Sequence, residues 1–182
     1  MKTGLKYTIF RTKRGFFGLL ADSKGLLRTV LPMRNYKTVK KYLLVGTSEP
    51  TREDKKLYPE LLKSITDYYK GAYVDFNKLF LSIVYPRFSS FGRKVLKVCK
   101  GIPPGKTITY SQLAEKAGFP KAARAVGNIL AKNPLPLIIP CHRVIRADGK
   151  IGNFSAPGGG KMKKKMLEHE KLLVARDSSL VK

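Results

Sequence analysis

Three short apolar runs, separated by turn sequences, occupy the first 34 residues of the chain. The runs are YTIF, GFFGLLA and LLRTVLP, and KRG and DSKG lie between them. Runs of this length with such turns are typical of antiparallel strands and hairpins. Two later segments, VKKYLLVG and LYPELLKSITDYYKG, have helical spacing, and Gly71 is suited to end the second. The pattern predicts a mixed α/β domain over residues 1–86, which contains neither His nor Cys.

The sequence changes in character near Tyr85 to Phe88, and the residues beyond this point are mostly helical in pattern. In FGRKVLKVCKGI, Phe91, Val95, Val98 and Ile102 share one helical face, with Cys99 beside it. Buried thiols usually act as small apolar packing groups, so Cys99 is predicted to be a core residue. We therefore predict an α/β protein of two domains, with the second over residues 87–182.

A helix-turn-helix follows the Pro103–Pro104–Gly105 break. Thr109 and Gln112 have the spacing of a capping box, which predicts a helix beginning near Tyr110. Gly118 is suited to end that helix, and KAARAVGNILAKN predicts a second one. Two short helices joined by a glycine-containing turn favour a DNA-binding motif.

The second of these helices has a strip of small residues beside a basic one. Its apolar stripe is Ala122, Val126, Ile129 and Leu130, its polar stripe is Lys121, Arg124, Asn128 and Lys132, and the small residues are Ala123, Gly127 and Ala131. An ordinary amphipathic surface helix is the simpler interpretation. However, the 182-residue chain has 37 basic and 12 acidic residues, a net charge of +25. Such an excess favours a nucleic-acid partner, although a general bias of the host proteome would also produce it.

The stretch IIPCHRVI places Cys141 directly beside His142. LIIP predicts a buried strand, and neighbours on a strand point to opposite faces. The two side chains could cooperate only if Pro140 bends the chain or a water bridges them. A reactive thiolate needs a base, and the base needs an orienting acid. Cys141 and His142 could therefore be a nucleophile with its base or merely structural neighbours, and both interpretations remain open.

The C-terminal segment offers a possible acid. Residues 161–173 are predicted to be helical, with Met162, Met166, His169 and Leu173 on one face, Glu170 at its edge and Glu168 pointing away. Spacing alone favours an exposed Glu170 paired with a lysine over an inward one. Before this helix, Asp148–Gly149 is a hairpin signal, and a glycine-rich loop spans Gly152 to Gly160.

The chain has few candidate metal ligands. Cys99, Cys141, His142 and His169 lack the paired spacing of a zinc site, so no metal and no cofactor is predicted. No apolar run reaches the roughly 18–20 residues that span a bilayer, and the first residues lack a signal-peptide pattern. These features predict an intracellular protein with no membrane partner.

The segment NPLPLIIPCHRVIRADGKIGNFS, with the helix-turn-helix before it and LEHE after it, resembles the O6-alkylguanine-DNA alkyltransferases, also called methylated-DNA–protein-cysteine methyltransferases. The resemblance covers residues 88–173 well, and residues 1–85 only by type. It implies a ribonuclease-H-like N-terminal domain and a winged-helix-like C-terminal domain. It also implies a monomeric DNA repair protein that flips O6-alkylguanine out of duplex DNA and transfers the alkyl group irreversibly to its own cysteine.

The resemblance also implies roles for individual residues. Cys141 would be the acceptor, His142 its base through a water, and Glu170 the group that orients His142. Asn133 would hold the active-site turn and the thiolate, and Tyr110 would protonate or hydrogen-bond the leaving guanine at N3. Such a protein would work in the cytoplasm or nucleoid, or in the nucleus of a eukaryote.

For the DNA, the resemblance implies that Arg124 takes the place of the flipped base and that the helix from Lys121 to Lys132 lies in the minor groove. The residues expected to contact DNA are Arg124, Lys121, Ala123, Gly127, Asn128, Ser111 and Gln112. Those expected to form the substrate pocket are Ser155, Phe154, Asn153 and Ala156. Phe154 stands where many members have Tyr and lacks that hydroxyl. Ala156–Pro157 follow Ser155 where glycine is frequent, so we expect their extra bulk to narrow the pocket.

Three other functions remain open from the sequence. A non-enzymatic helix-turn-helix protein could bind DNA damage, although such alkyltransferase-like proteins lack the acceptor cysteine. A DNA-binding regulator could use Cys141 as a redox sensor. A Cys-His hydrolase would need an oxyanion hole and repeated turnover.

Overall fold

The computed structural model describes residues 4–85 and 88–177, and the chain divides into two compact units, Met1–Tyr85 and Pro86–Lys182. The boundary predicted between residues 86 and 87 falls on Pro86 and Arg87, which lie outside the described residues.

The N-terminal unit is built on a four-stranded sheet. Its strands are β1 (Leu5–Thr12), β2 (Gly15–Ala21), β3 (Leu26–Met33) and β4 (Thr51–Glu53), in the order β3-β2-β1-β4. β2 is antiparallel to both β1 and β3, whereas β4 is parallel to β1. The three predicted strands are confirmed. β4 escaped prediction because its sequence, TRE, has no apolar alternation.

Two helices complete this unit, α1 (Tyr36–Leu44) and α2 (Pro59–Lys70). Val39 and Leu43 of α1 are fully buried and pack beside Gly18 of β2, where an added Cβ would lie 2.9 Å from Val39 Cγ1. A glycine in the strand therefore lets the helix approach the sheet. Gly71, at φ +110°, ends α2 as predicted.

The C-terminal unit is mostly helical. It contains α3 (Ser90–Lys100), α4 (Tyr110–Lys116), α5 (Ala123–Ala131) and α6 (Gly159–Arg176), together with the two-residue parallel strands β5 (Ile108–Thr109) and β6 (Val144–Ile145). The capping box of Thr109 and Gln112 is present, as predicted. Cys99 is fully buried in α3, so its prediction as a core residue is confirmed, although it lies on the buried face and not beside it. None of the helices in the described ranges is long and apolar enough to span a membrane.

The prediction that LIIP forms a strand is wrong. Residues 134–140 form consecutive turns that are nevertheless mostly buried. Pro134, Pro136 and Pro140 have no N–H to donate to a strand ladder, and Leu137 adopts a positive φ of 79°. The chain therefore bends repeatedly before Cys141.

Two predictions about the helices also need correction. α5 begins at Ala123, and Lys121 precedes it at φ +69°, so Lys121 is not part of its polar stripe. The buried residues of α6 are Lys163, Met166, Glu170 and Leu173, not the face that includes Met162 and His169. The predicted hairpin at Asp148–Gly149 is a turn, and no strand follows it among the described residues.

Candidate active site

Cys141 lies at the start of a 3-10 turn, Cys141–Arg143, directly after the proline-rich turns. Pro140, at φ −81° and ψ 63°, bends the chain so that Cys141 N donates to Ile139 O at 2.8 Å. The residues of IIPCHRVI therefore do not alternate as on a strand. Cys141 is 5% exposed and lines a groove, whereas His142 is fully buried.

The side chain of Asn133 holds this turn together. Its amide Nδ2 donates to Ile139 O at 2.8 Å and contacts Cys141 Sγ at 3.1 Å, while its Oδ1 accepts from Leu135 N at 3.0 Å. A donor at this distance favours the thiolate over the thiol. Asn133 thus fixes both the shape of the turn and the position of the sulfur.

Behind the turn, Glu170 of α6 is fully buried and contacts three groups of the active-site region. Its Oε1 lies 2.8 Å from His142 Nε2, and it accepts from Arg143 Nε at 2.9 Å and from Arg143 Nη2 at 2.8 Å. Gly105 N also donates to its Oε2 at 3.2 Å. The spacing favoured an exposed Glu170 paired with a lysine. This prediction is wrong, because the buried face of α6 includes Lys163 and Glu170.

The charges of this cluster follow from its partners. Burial alone would raise the pKa of Glu170, but the hydrogen bonds from His142 and Arg143, together with the charge of Arg143, hold it well below its usual range. Burial lowers the pKa of His142 against the opposing effect of Glu170. Arg143, which also donates to Ile102 O, provides the permanent positive charge. The ring is therefore neutral, with Nε2–H donated to the carboxylate and Nδ1 left as the basic nitrogen.

His142 Nδ1 is buried and has no hydrogen-bond partner among residues 4–85 and 88–177. Buried polar atoms are usually paired, and exceptions often mark functional positions. Nδ1 is therefore the atom of this ring that is suited to accept a proton.

Lys163 is a buried residue that sequence reasoning missed. Its Nζ donates to Val144 O at 2.6 Å, lies 3.5 Å from the Tyr110 hydroxyl, and is 5.6 Å from the centre of the Tyr110 ring. Burial lowers the pKa of Lys163 to about 8, and burial raises that of Tyr110. A signal was available in the sequence. Lys163 precedes Glu170 by seven residues, or two helical turns, so the two residues lie on the same face of α6.

Burial raises the pKa of the Cys141 thiol, while Asn133, then Lys163, and nearby backbone N–H groups act in the opposite direction. The sulfur thus has a donor and a cation arranged to favour its ionised form. This environment suits a nucleophile that is activated when a base takes its proton.

A groove of about 780 Å³ opens onto Cys141. Ten of the residues predicted from the sequence line it: Tyr110, Ser111, Ala123, Arg124, Gly127, Asn128, Cys141, Asn153, Phe154 and Ser155. Lys121, Gln112 and Ala156 do not line it, and the Gln112 side chain instead caps α4. His142, Glu170 and Asn133 are not lining residues but support Cys141 from behind. Arg146 lines the groove without having been predicted, and Gly152 lines it at the start of the glycine-rich loop.

Gly152 lies where Tyr110 and Arg146 come close. It adopts φ +74°, and an added Cβ would lie 3.2 Å from the Tyr110 hydroxyl and 3.4 Å from Arg146 Cγ. The absence of a side chain at this position therefore keeps Tyr110 and Arg146 in place beside the groove.

We predict that Gly152→Ala lowers the free energy of unfolding by about 1–2 kcal/mol, the cost of a left-handed alanine, and also displaces Tyr110. Gly149→Ala is the matched control, since Gly149 has φ +77° and nothing within 4 Å of an added Cβ. Urea denaturation should give similar losses for both variants. The alkyl transfer that the sequence resemblance implies should slow only in Gly152→Ala, and equal transfer rates would contradict the prediction.

The family model described as "6-O-methylguanine DNA methyltransferase, DNA binding domain" matches residues 90–172. The methylated-DNA–protein-cysteine methyltransferase of Methanocaldococcus jannaschii is 36% identical over 165 residues, which cover 90% of this chain and 93% of that protein. The enzyme of the same name from Rattus norvegicus is 50% identical over 91 residues, 50% of this chain.

The match to the rat protein spans 43% of that protein's length. Among solved structures, Mycobacterium tuberculosis OGT in complex with DNA superposes with a TM-score of 0.73 at 26% identity, covering 97% of this chain and 99% of the other. The similarity therefore extends over both units of the chain.

Proposed function

The chain belongs to the methylated-DNA–protein-cysteine methyltransferase family, and from this premise we propose that it repairs duplex DNA by transferring the alkyl group of O6-alkylguanine to its own Cys141. The observation that carries the proposal is the setting of Cys141. Its side chain lines the groove formed with α5, its sulfur contacts Asn133, and the His142–Glu170–Arg143 cluster lies behind it.

The transfer is a displacement at carbon. His142 Nδ1 takes the thiol proton of Cys141 through a water, and Glu170 stabilises the resulting imidazolium through Nε2. The thiolate attacks the alkyl carbon, a C–S bond forms, and the C–O6 bond breaks with its electron pair going to the guanine. Tyr110 donates a hydrogen bond or proton to guanine N3, which stabilises the leaving group. The thioether is not regenerated, so each molecule acts once.

The DNA-facing side of this mechanism is α5. Ala123 and Gly127 line the groove, and an added Cβ at Gly127 would make an ordinary van der Waals contact with Tyr110, at 3.9 Å. Small residues let the helix approach the minor groove, and Arg124, exposed on the same helix, would fill the space left by the flipped guanine. Ser155, Asn153 and Phe154 would surround that base, with Ser155 near its O6.

The topology of each unit supports the domain types that the proposal includes. The order β3-β2-β1-β4, with three antiparallel strands and a parallel fourth after α1, supports a ribonuclease-H-like N-terminal domain. The pair α4 and α5, joined to Cys141 through β5 and β6, supports a winged-helix-like C-terminal domain. A monomer that reacts with duplex DNA would work in the compartment that holds the DNA.

The direct test is the intact mass of the full chain after incubation with a duplex that contains one O6-methylguanine. We expect each protein molecule to gain one methyl group, located on Cys141 by peptide mapping, with no further turnover. Cys99→Ala, which alters the other cysteine, should still be methylated, whereas Cys141→Ala should bind the duplex without gaining mass.

Other outcomes would identify the alternatives. Damage-selective binding without any methyl gain would support a non-enzymatic binder. Unmethylated Cys141 whose oxidation changes DNA affinity would instead support a redox-sensing regulator.

A further inference from the structure

Arg146 lies in the groove beside Cys141 and Tyr110, and none of the alkyl-transfer steps uses it. It directly follows β6, in a turn whose backbone is fixed at both ends. Arg146 N donates to Lys150 O at 3.0 Å, and Gly149 N donates to Arg146 O at 3.1 Å. The backbone from which this side chain enters the groove is therefore well defined.

Asp148 holds the guanidinium of Arg146 along one edge. Arg146 Nε donates to Asp148 Oδ1 at 3.3 Å, and Arg146 Nη2 lies 3.1 Å from Asp148 Oδ2. Asp148 is itself fixed, because its Oδ1 also accepts from Lys150 N at 3.1 Å. An exposed ion pair contributes little to stability, so its main consequence here is orientation. The Arg146 side chain remains 59% exposed and has five N–H donors, more than Asp148 engages.

The groove has the charge pattern of a site for a polyanion. Among the described residues, its lining includes two cations, Arg124 from α5 and Arg146 from the turn after β6, and no carboxylate. A guanidinium with a fixed orientation matches the geometry of a phosphate better than a flexible ammonium does. Gly152, where an added Cβ would lie 3.4 Å from Arg146 Cγ, leaves the stem of the Arg146 side chain undisturbed.

We propose that Arg146, oriented by Asp148, binds a backbone phosphate of the DNA next to the flipped nucleotide. This inference rests on the proposed function. It adds a second DNA contact, on a different chain segment from α5. Because the contact is to a phosphate, Arg146 determines how tightly DNA is held and has no part in alkyl transfer from a base that lacks phosphates.

The test compares two substrates of the full chain, duplex DNA with one O6-methylguanine and the free base O6-methylguanine. Arg146→Met is expected to weaken duplex binding about 10- to 100-fold, as for the loss of a charge-assisted hydrogen bond. The slope of log affinity against log salt should fall by about 1. The transfer rate from the free base should stay unchanged. Arg93→Met, on the exposed side of α3, removes the same charge outside the groove lining and is the control.

A set of duplexes, each with one neutral methylphosphonate beside the lesion, identifies the phosphate. One of these methylphosphonates should weaken binding by the wild-type protein and leave binding by Arg146→Met unchanged. Equal behaviour of Arg146→Met and Arg93→Met would overturn the inference, and so would a slower reaction of Arg146→Met with the free base. Failure of the proposed function looks different, because wild-type protein would then gain no methyl group from either substrate.

Discussion

Replacing Glu170 by alanine is expected to lower the free energy of unfolding by about 3–5 kcal/mol, as for a buried ion pair that loses one partner. Glu170 accepts two hydrogen bonds from Arg143 at 2.8–2.9 Å, and its Oε1 lies 2.8 Å from His142 Nε2. All three side chains are buried. Its removal leaves the Arg143 guanidinium buried without a counter-charge. Urea denaturation at neutral pH measures the loss.

Glu168→Ala is the matched control for this variant, since Glu168 lies on the same helix and is exposed. It should change the unfolding free energy by no more than about 0.5 kcal/mol, the usual range for surface substitutions. A loss below about 1 kcal/mol in Glu170→Ala would contradict the buried cluster. Alkyl transfer should also slow sharply in Glu170→Gln, whose neutral amide cannot stabilise the imidazolium of His142.

The same carboxylate gives the wild-type protein a defined acid sensitivity. The pKa of Glu170 is lower in the folded chain than the value of about 4.3 that it has when unfolded. Its contribution to stability is therefore complete above about pH 4.3 and is lost as the pH falls toward the folded pKa. The burial that lowers the pKa of His142 acts in the same direction below about pH 6.5.

Local signals in the sequence predicted those elements that are determined locally. The capping box of Thr109 and Gln112, the glycine stop at Gly71 and the three strands of the first hairpins all depend on neighbours within a few residues. β4 could not be found in this way, because Thr51–Glu53 is a strand only through its pairing with β1.

The environment of Cys141 depended on tertiary contacts that spacing does not encode. The motif predicted Cys141 as the acceptor, but it did not predict the turns before it. An apolar stretch with three prolines has the pattern of a strand, and the Asn133 side chain that holds it as turns makes contacts that the pattern does not encode. Arg143 and Lys163 were missed because charged residues are rarely buried, and both are here. The inward position of Glu170 follows from its contacts with Arg143 and His142 and not from the apolar pattern of its helix.

The buried Lys163 leads to the second large effect. Replacing it by methionine is expected to move the pH dependence of alkyl transfer to higher pH, because the lysine charge acts to lower the pKa of the Cys141 thiol. Each unit by which the thiol pKa rises reduces the thiolate fraction below that pKa about tenfold, and the transfer rate at pH 7 should fall accordingly. In the proposed mechanism, the loss of the cation beside the Tyr110 hydroxyl, 3.5 Å away, would also leave the departing guanine less stabilised.

A stability measurement separates this electrostatic role of Lys163 from simple packing. Its pKa of about 8 in the folded chain is below the value of about 10.4 expected when unfolded, so the unfolded chain binds more protons between these pH values. Wild-type stability should therefore rise from pH 8 toward pH 10.4 relative to Lys163→Met, by the sign of the linkage relation. Lys164→Met, an exposed neighbour, should retain both the wild-type pH–rate curve and this rise. A Lys163→Met protein with an unshifted pH–rate curve would show that the buried ammonium does not act on the acceptor thiol, and Asn133 would then remain as the main side chain that stabilises its ionised form.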